Sequence, residues 1–154
     1  MAKVEVAAII CAQNRLFDLI ESQTKRLASQ TPQAGFTCTR AESRYNSFPH
    51  AFDNVEVTVH GPCNLTLDFE SNRPTENSSR GVDCKVGVFR QRRHETAQKL
   101  EDYDFSACLD GRGGVSWAGP EGTAYTPDQL CSFAFQRLHE EVELCFQQPL
   151  QRGY

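Results

Sequence analysis

The sequence predicts an α+β fold: an antiparallel sheet of five or six strands, with a long N-terminal helix and a C-terminal helix packed on one face. Near both ends of the chain, apolar residues recur at three- and four-residue steps, the period of a helix with one buried side. Through the middle they recur at every second residue, the period of a strand with one buried face. Strands in a run, without helices between them, favour antiparallel pairing. The length of 154 residues indicates one domain, 1–154.

The first helix is predicted over residues 4–29. Thr31, Pro32 and Gly35 mark its end, because proline and glycine interrupt helical patterns. Its apolar stripe consists of Val6, Ile9, Ile10, Leu16, Phe17, Ile20 and Leu27. A stripe of this width needs another surface to cover it, and the sheet is the natural one.

Strands are predicted where apolar and polar residues alternate. The clearest are 55–60, 63–70 and 82–88, and residues 71–80 form a polar loop between the last two. A weaker pattern predicts a strand at 36–43, and further strands follow at 103–109 and 115–118. The glycine-rich residues 111–114 lead into a strand rather than a helix, so they are predicted to form a hairpin turn and not a phosphate-binding loop.

The second helix has the clearest start in the chain. Thr126 stands at the N-cap, Pro127 at the first helical position, Asp128 near the positive end of the helix dipole, and Gln129 at the capping-box position. Pro149 is expected to follow the end of this helix. The buried stripe is predicted to contain Leu130, Phe133, Ala134, Leu138, Val142 and Cys145.

The segment VHGPC places His60 three residues before Cys63. Pairing these two residues across a two-residue loop would set valines opposite polar residues, so the pattern excludes that register. Two registers remain, one with Val59 opposite Cys63 and one with His60 opposite Asn64. Neither aims the imidazole at the thiol, as a nucleophile with its base or a metal site would require. The segment is therefore interpreted as a bend between two strands.

The cysteines indicate a reducing environment. They are odd in number, scattered singly and without a C-x-x-C pair, which is typical of reduced thiols in a cytoplasmic protein. They are Cys11, Cys38, Cys63, Cys84, Cys108, Cys131 and Cys145. An export signal is not expected, because Glu5 interrupts the apolar run at the N-terminus. No apolar stretch is long enough for a membrane span.

No enzyme, metal or cofactor signature is found. Cys and His residues do not occur in the close pairs of a zinc site. His139 and Glu143 share a helix face and are interpreted as a surface pair. Acidic residues are predicted to face solvent or lie in loops, where carboxylates are expected anyway, namely Asp68, Glu70, Glu101, Asp102 and Asp104.

The strongest charge cluster runs from Arg90 to His94 and follows an apolar residue, Phe89, whose parity places it on the solvent side of its strand. The net charge of −4 argues against a nucleic-acid partner. The segment is interpreted first as a solvated strand end and loop, because Glu95, Glu101 and Asp102 offset its charge. In a protein-interaction module, it is also the likeliest contact surface for a partner. The candidate partner-binding residues are Phe89, Arg90, Arg92, Arg93 and His94.

Two functional hypotheses follow. The first is a small cytoplasmic, non-enzymatic protein-interaction module, which could also associate with its own copy because an antiparallel sheet has two edges. The second is a small-ligand-binding protein or an undetected enzyme, with a pocket between the helices and the sheet that involves Tyr45, Tyr103 or Trp117. A flat contact surface would favour the first hypothesis, and a concave pocket with convergent polar groups the second.

Overall fold

The fold was analysed in a computed structural model, which describes residues 3–31, 34–42, 52–72, 74, 83–112 and 114–151. The first helix, α1, spans Lys3–Gln30, and the last, α2, spans Pro127–Gln151. Between them lie β1 (Gly35–Glu42), β2 (Phe52–His60), β3 (Asn64–Asn72), β4 (Asp83–Gln91), β5 (Gln98–Leu109), β6 (Val115–Ala118) and β7 (Ala124–Tyr125). Tyr45, which was predicted as a candidate pocket residue, lies outside the described residues.

The strands form one antiparallel sheet in chain order, β1 to β7. The predicted α+β class with an antiparallel sheet is confirmed, but the sheet has seven strands rather than five or six. The additional strand is β7, whose two residues pair with Trp117 and Ala118 of β6. Two residues are too few to produce an alternating pattern, so the sequence could not reveal this strand.

Both helices lie on the same face of the curled sheet. Helix α1 packs against β1, β2 and β6, whereas α2 packs against β3, β4, β6 and β7, and the two helices also contact each other. Arg40 of β1 helps to hold α1, since its guanidinium lies 2.9 Å from Asp18 and 5.2 Å from the centre of the Phe17 ring. We call the face that packs against the helices the inner face and the opposite one the outer face.

The β2–β3 hairpin uses the second of the two predicted registers. Val59 lies opposite Leu65 and Val57 opposite Leu67, which places His60 level with Asn64 and leaves residues 61–63 as the loop. All four of these apolar side chains are fully buried under the helices. The alternation of apolar residues therefore selects the inner face, as predicted.

The start of α2 is confirmed in detail. The backbone N–H of Gln129 donates to Oγ1 of Thr126 at 3.2 Å, and the backbone N–H of Thr126 donates to Oε1 of Gln129 at 3.0 Å. This reciprocal pair is a capping box. The predicted end is wrong, because the helix continues past Pro149 to Gln151. The fixed φ of proline is compatible with a helix. Because proline has no backbone N–H, its presence removes one helical hydrogen bond, which the helix tolerates near its end.

Candidate functional site

His60 and Cys63 do not form a catalytic pair. His60 is exposed at the end of β2, and its Nε2 lies 3.2 Å from Oγ1 of Thr37 on the neighbouring strand. Cys63 is buried in the loop and is bonded to a different partner. The interpretation of this segment as a bend between two strands is confirmed.

The prediction that all seven cysteines are reduced is wrong. Cys63 and Cys145 form a disulfide across 82 residues of sequence. Helix α2 crosses the sheet and brings its C-terminal half beside the β2–β3 loop, a proximity that cysteine spacing cannot show. The other five cysteines form no disulfide.

Two of these thiols, Cys38 and Cys131, are in environments that disfavour the nucleophilic thiolate. Burial raises the pKa of Cys38, and burial followed by the nearby Asp128 carboxylate raises the pKa of Cys131 to about 11. A raised pKa lowers the fraction of thiolate, the reactive form. In the described ranges, no three His, Cys, Asp or Glu side chains converge as a metal site.

Residues 111, 112 and 114 lie in a hairpin turn between β5 and β6, as predicted. Leu109 of β5 lies opposite Val115 of β6, and the Asp110 carboxylate accepts hydrogen bonds from the backbone N–H groups of Arg112 and Gly114. The loop is therefore closed by its own aspartate, an arrangement typical of turns rather than of a phosphate site.

The structure divides the predicted contact residues between the two faces of the sheet. Phe89 lies on the outer face opposite Thr66, whereas Arg90 follows Leu65 onto the inner side and donates to Oε1 of Gln98 at 2.9 Å. Arg92, Arg93 and His94 belong to the turn between β4 and β5, where Arg93 and His94 are exposed. In this turn the backbone N–H of Glu95 donates to the carbonyl of Arg92, and His94 has a φ of 64°.

The Phe89 ring is held in place on the outer face by its neighbours. It lies over Gly87, where an added Cβ would come within 2.8 Å of the ring atom Cε2. The ammonium group of Lys99 lies 5.6 Å from the ring centre and 3.4 Å from a carboxylate oxygen of Asp102. Glycine at position 87 therefore lets an aromatic ring lie flat on the sheet while it stays half-exposed.

Acidic side chains surround this ring. The strand register aligns Glu56, Asp68, Gly87 and Asp102 in one row across the outer face, and it aligns Asn54, Glu70, Lys85 and Asp104 in the next row. Asp68, Glu70, Asp102 and Asp104 were each predicted separately to face solvent or to lie in a loop. Their alternating positions along each strand place them on one face. That they are neighbours follows only from the registers between strands, which the sequence does not determine.

Asp68 has the most perturbed carboxyl group on this face. Burial raises its pKa to about 7, and the negative charges of Glu70 and then Glu56 act in the same direction. The side-chain amide of Asn54 donates to its carboxylate and acts in the opposite direction. Burial is therefore the main cause of the raised pKa, and repulsion by the neighbouring acids adds to it.

One acid was wrongly predicted. Glu101 was placed in a loop, but β5 begins at Gln98, so Glu101 lies in the strand opposite Val88 and on the inner side. It accepts a hydrogen bond of 2.5 Å from the Tyr103 hydroxyl and lies 3.8 Å from the guanidinium of Arg137 on α2. Its side chain is only 16% exposed. Four of the five residues 98–102 are polar, so this part of the strand shows no alternation of apolar and polar residues.

The remaining predicted residues have structural positions. His139 and Glu143 form an exposed pair on α2, at 3.0 Å, as predicted. Trp117 is fully buried between the helices and the sheet. Its indole N–H has no hydrogen-bond partner within the part of the chain that the structure describes.

No helix among the described residues combines the length and the apolar character needed to cross a membrane. Comparison of the sequence with protein-family models and with curated proteins, and of the fold with solved structures, gave no match. The assignment of function therefore depends on the geometry described above.

Proposed function

We propose that this chain is a non-enzymatic protein-interaction module that binds a protein partner through the outer face of its sheet. The observation that carries the proposal is the position of Phe89. Its ring is half-exposed on the face that neither helix covers, and it is fixed over Gly87 rather than packed into the core. Rigid aromatic side chains surrounded by polar groups are the usual anchors of protein interfaces.

The basic residues have different parts in this proposal. Arg90 points to the inner side, so it supports the strand end and makes no contact from the outer face. Arg92, Arg93 and His94 extend beyond the sheet in the β4–β5 turn, at the rim of the proposed interface. Charges at a rim contribute mainly to the rate of association and to its salt dependence.

The test is to isolate the partner from the native host and to measure its affinity for purified variants. Phe89→Ala is expected to weaken binding by about tenfold or more, because it removes the central anchor. Leu109→Ala is the matched control, since Leu109 is 38% exposed at the far end of β5. Equal binding by wild type and Phe89→Ala would refute the proposal.

A second variant moves the ring without removing it. Gly87→Ala places a methyl group 2.8 Å from the present ring position, so the ring must shift. We expect an intermediate loss of affinity with little change in overall fold. Circular dichroism and the unfolding midpoint show whether the variant is folded.

Self-association is the second part of the proposal. Strand β1 pairs with β2 over eight residues, and no described strand pairs with its other edge. Open edges accept strands from other chains, including a second copy. Light scattering at several concentrations gives the copy number, and a monomer at all of them would exclude this part.

A cytoplasmic location is also proposed. The exposed cysteines Cys11 and Cys108, which form no disulfide, support a reducing compartment. The Cys63–Cys145 disulfide argues in the opposite direction. Thiol mapping by mass spectrometry after rapid alkylation of native cells decides between them: a reduced pair supports the cytoplasm, and a quantitatively bridged pair supports an oxidising compartment.

One observation favours the alternative, a small-ligand binder. The indole N–H of Trp117 is buried between the helices and the sheet, and the described residues offer it no acceptor. Buried donors are normally paired, and a ligand carbonyl could serve as the acceptor. A ligand at this position would change the fluorescence of Trp117 and raise the unfolding temperature, which a screen of small carbonyl compounds would detect.

A further inference from the structure

We infer that the outer face of the sheet binds a lysine- or arginine-bearing segment of its protein partner. This inference rests on the proposed function and adds the chemistry of the partner to it. It is drawn from the arrangement of carboxylates around Phe89, the contacts of Lys99 and the surroundings of Asp68.

The acids of the outer face form a band of two groups, on β2–β3 and on β5, which lie on either side of Gly87 and Lys85 of β4. Neighbouring strands lie about 4.8 Å apart, so side chains in one row across the sheet are direct neighbours. The lysines on the outer face of the described β2 to β5 are Lys85 and Lys99, and they are outnumbered by carboxylates, which include those of Glu56, Asp68, Glu70, Asp102 and Asp104. The band therefore presents net negative charge to a partner.

Lys99 shows how a cation is held on this face. Its ammonium group lies 5.6 Å from the centre of the Phe89 ring and 3.4 Å from Oδ2 of Asp102. An aromatic face with a carboxylate beside it attracts cations, both through the ring quadrupole and through direct charge. A partner's lysine or arginine would meet the same chemistry on the β3 side of the ring, where Asp68 and Glu70 lie.

The chain leaves this second position short of positive charge. The pKa of Asp68 is raised to about 7, first by burial and then by Glu70 and Glu56. Lys85 lies in the neighbouring row, level with Glu70 and Asp104. A bound cation beside Asp68 would reduce the repulsion among these carboxylates and favour their charged forms.

The charge also argues against a second copy as the occupant of this face. Two outer faces packed together would oppose one acidic band to another, and like charges across an interface cost free energy. Self-association through the edge of β1 does not involve this band and is unaffected. The occupant that fits the outer face is therefore a basic segment of another protein.

The test uses the full chain and defined probes. Fluorescence anisotropy measures the binding of a labelled lysine–serine peptide, an arginine–serine peptide and a glutamate–serine peptide at low and high salt. We expect the two basic peptides to bind at low salt and to weaken as salt increases, and the acidic peptide not to bind. No preference for the basic peptides would overturn the inference.

Two matched double variants locate the site. Glu70→Gln with Asp104→Asn removes two carboxylates of the band, and we expect about a tenfold loss of affinity for the basic peptides. Glu121→Gln with Glu143→Gln removes two exposed carboxylates away from the sheet face, and we expect affinity within about twofold of wild type. An equal loss in both would show attraction to net charge alone and would overturn the inference.

The partner experiment separates the two proposals. If the isolated partner requires Phe89 but the basic peptides do not bind, the outer face is an interface and only its cationic preference is wrong. If the basic peptides bind the band and the partner does not require Phe89, the proposed function fails while the charge site stands.

Discussion

Gln13 on α1 and Ser71 on β3 are joined by a buried hydrogen bond, from Nε2 of the glutamine to Oγ of the serine at 2.6 Å. The same amide nitrogen donates to the backbone carbonyl of Asn72 at 2.8 Å. Gln13 is only 2% exposed and Ser71 only 1%. This pair fixes the long helix to the end of β3, because a buried amide is stable only where its partners are correctly placed.

Replacement of Gln13 by alanine is expected to lower the free energy of unfolding by about 2 kcal/mol, since the buried Ser71 hydroxyl and Asn72 carbonyl lose their donor. Urea denaturation measures the change. Gln30→Ala, at the exposed last residue of α1, is the control and should stay within about 0.5 kcal/mol of wild type. A neutral Gln13→Ala would show that the hydrogen bond contributes nothing.

The capping box of α2 gives a second prediction. Thr126→Ala removes the acceptor for the Gln129 N–H and should cost about 1 kcal/mol, whereas Thr126→Asp keeps an acceptor and should cost much less. Thr123→Ala, an exposed residue just before the helix, is the control. The comparison uses thermal or urea unfolding. Similar losses for the alanine and aspartate variants would exclude the cap as the cause.

Most of the fold was predictable because two periodicities were strong. Residues such as Val57 and Leu67 alternate with polar neighbours, and the structure buries both of them on the inner face. Gln13 was missed because it is polar, although it lies four residues after Ile9 and three before Leu16, within the buried stripe. Helical position predicts burial, but a polar residue on that side needs a partner that only tertiary structure provides.

The candidate site was predictable only in part. The parity of Phe89 placed it correctly on the outer face, but adjacent Arg90 belongs to the opposite side. A register shift between Val88 and Phe89 also changes how β4 meets β5, and a single chain gives no signal for such irregularities. Long-range proximity, as between Cys63 and Cys145, is likewise absent from local patterns.

Asp68 makes stability depend on pH. Its pKa rises from 3.8 to about 7 on folding, so the folded state binds the proton more tightly than the unfolded state. The stabilising contribution of the Asp68 proton is therefore fully present below pH 3.8, and it is lost as the pH rises through about 7. Asp68→Asn should remove this pH dependence. Above about pH 7 its free energy of unfolding should exceed that of wild type by about 1 kcal/mol or less, because solvent partly screens the half-buried Asp68 charge.

Urea denaturation on both sides of this pH window measures the effect of Asp68→Asn. Asp104→Asn, an exposed acid of the same face, is the control and should keep most of the pH dependence of wild type. If wild type and Asp68→Asn lose stability equally as the pH rises, another group must be responsible.

For the disulfide, we predict that the single and double cysteine variants lose similar amounts of free energy of unfolding. Cys63→Ala, Cys145→Ala and the double variant all open the same 82-residue link, so each should lose a similar amount, up to about 4 kcal/mol. Cys108→Ala, an exposed free cysteine, should change little. Non-reducing peptide mapping identifies the bridge directly. Unfolding midpoints that are equal with and without reductant would contradict a stabilising role.

Trp117 is the only tryptophan, and it is fully buried, so its fluorescence reports on the layer between the helices and the sheet. Its emission should be blue-shifted in the folded protein, insensitive to iodide, and shifted to the red on unfolding. Because the indole N–H has no partner among the described residues, Trp117→Phe loses ring volume but no hydrogen bond. We expect it to cost about 1 kcal/mol, well below the 3–5 kcal/mol roughly expected for Trp117→Ala. A loss for Trp117→Phe well above about 1 kcal/mol would mean that the indole nitrogen has an acceptor in solution, such as a buried water or a ligand.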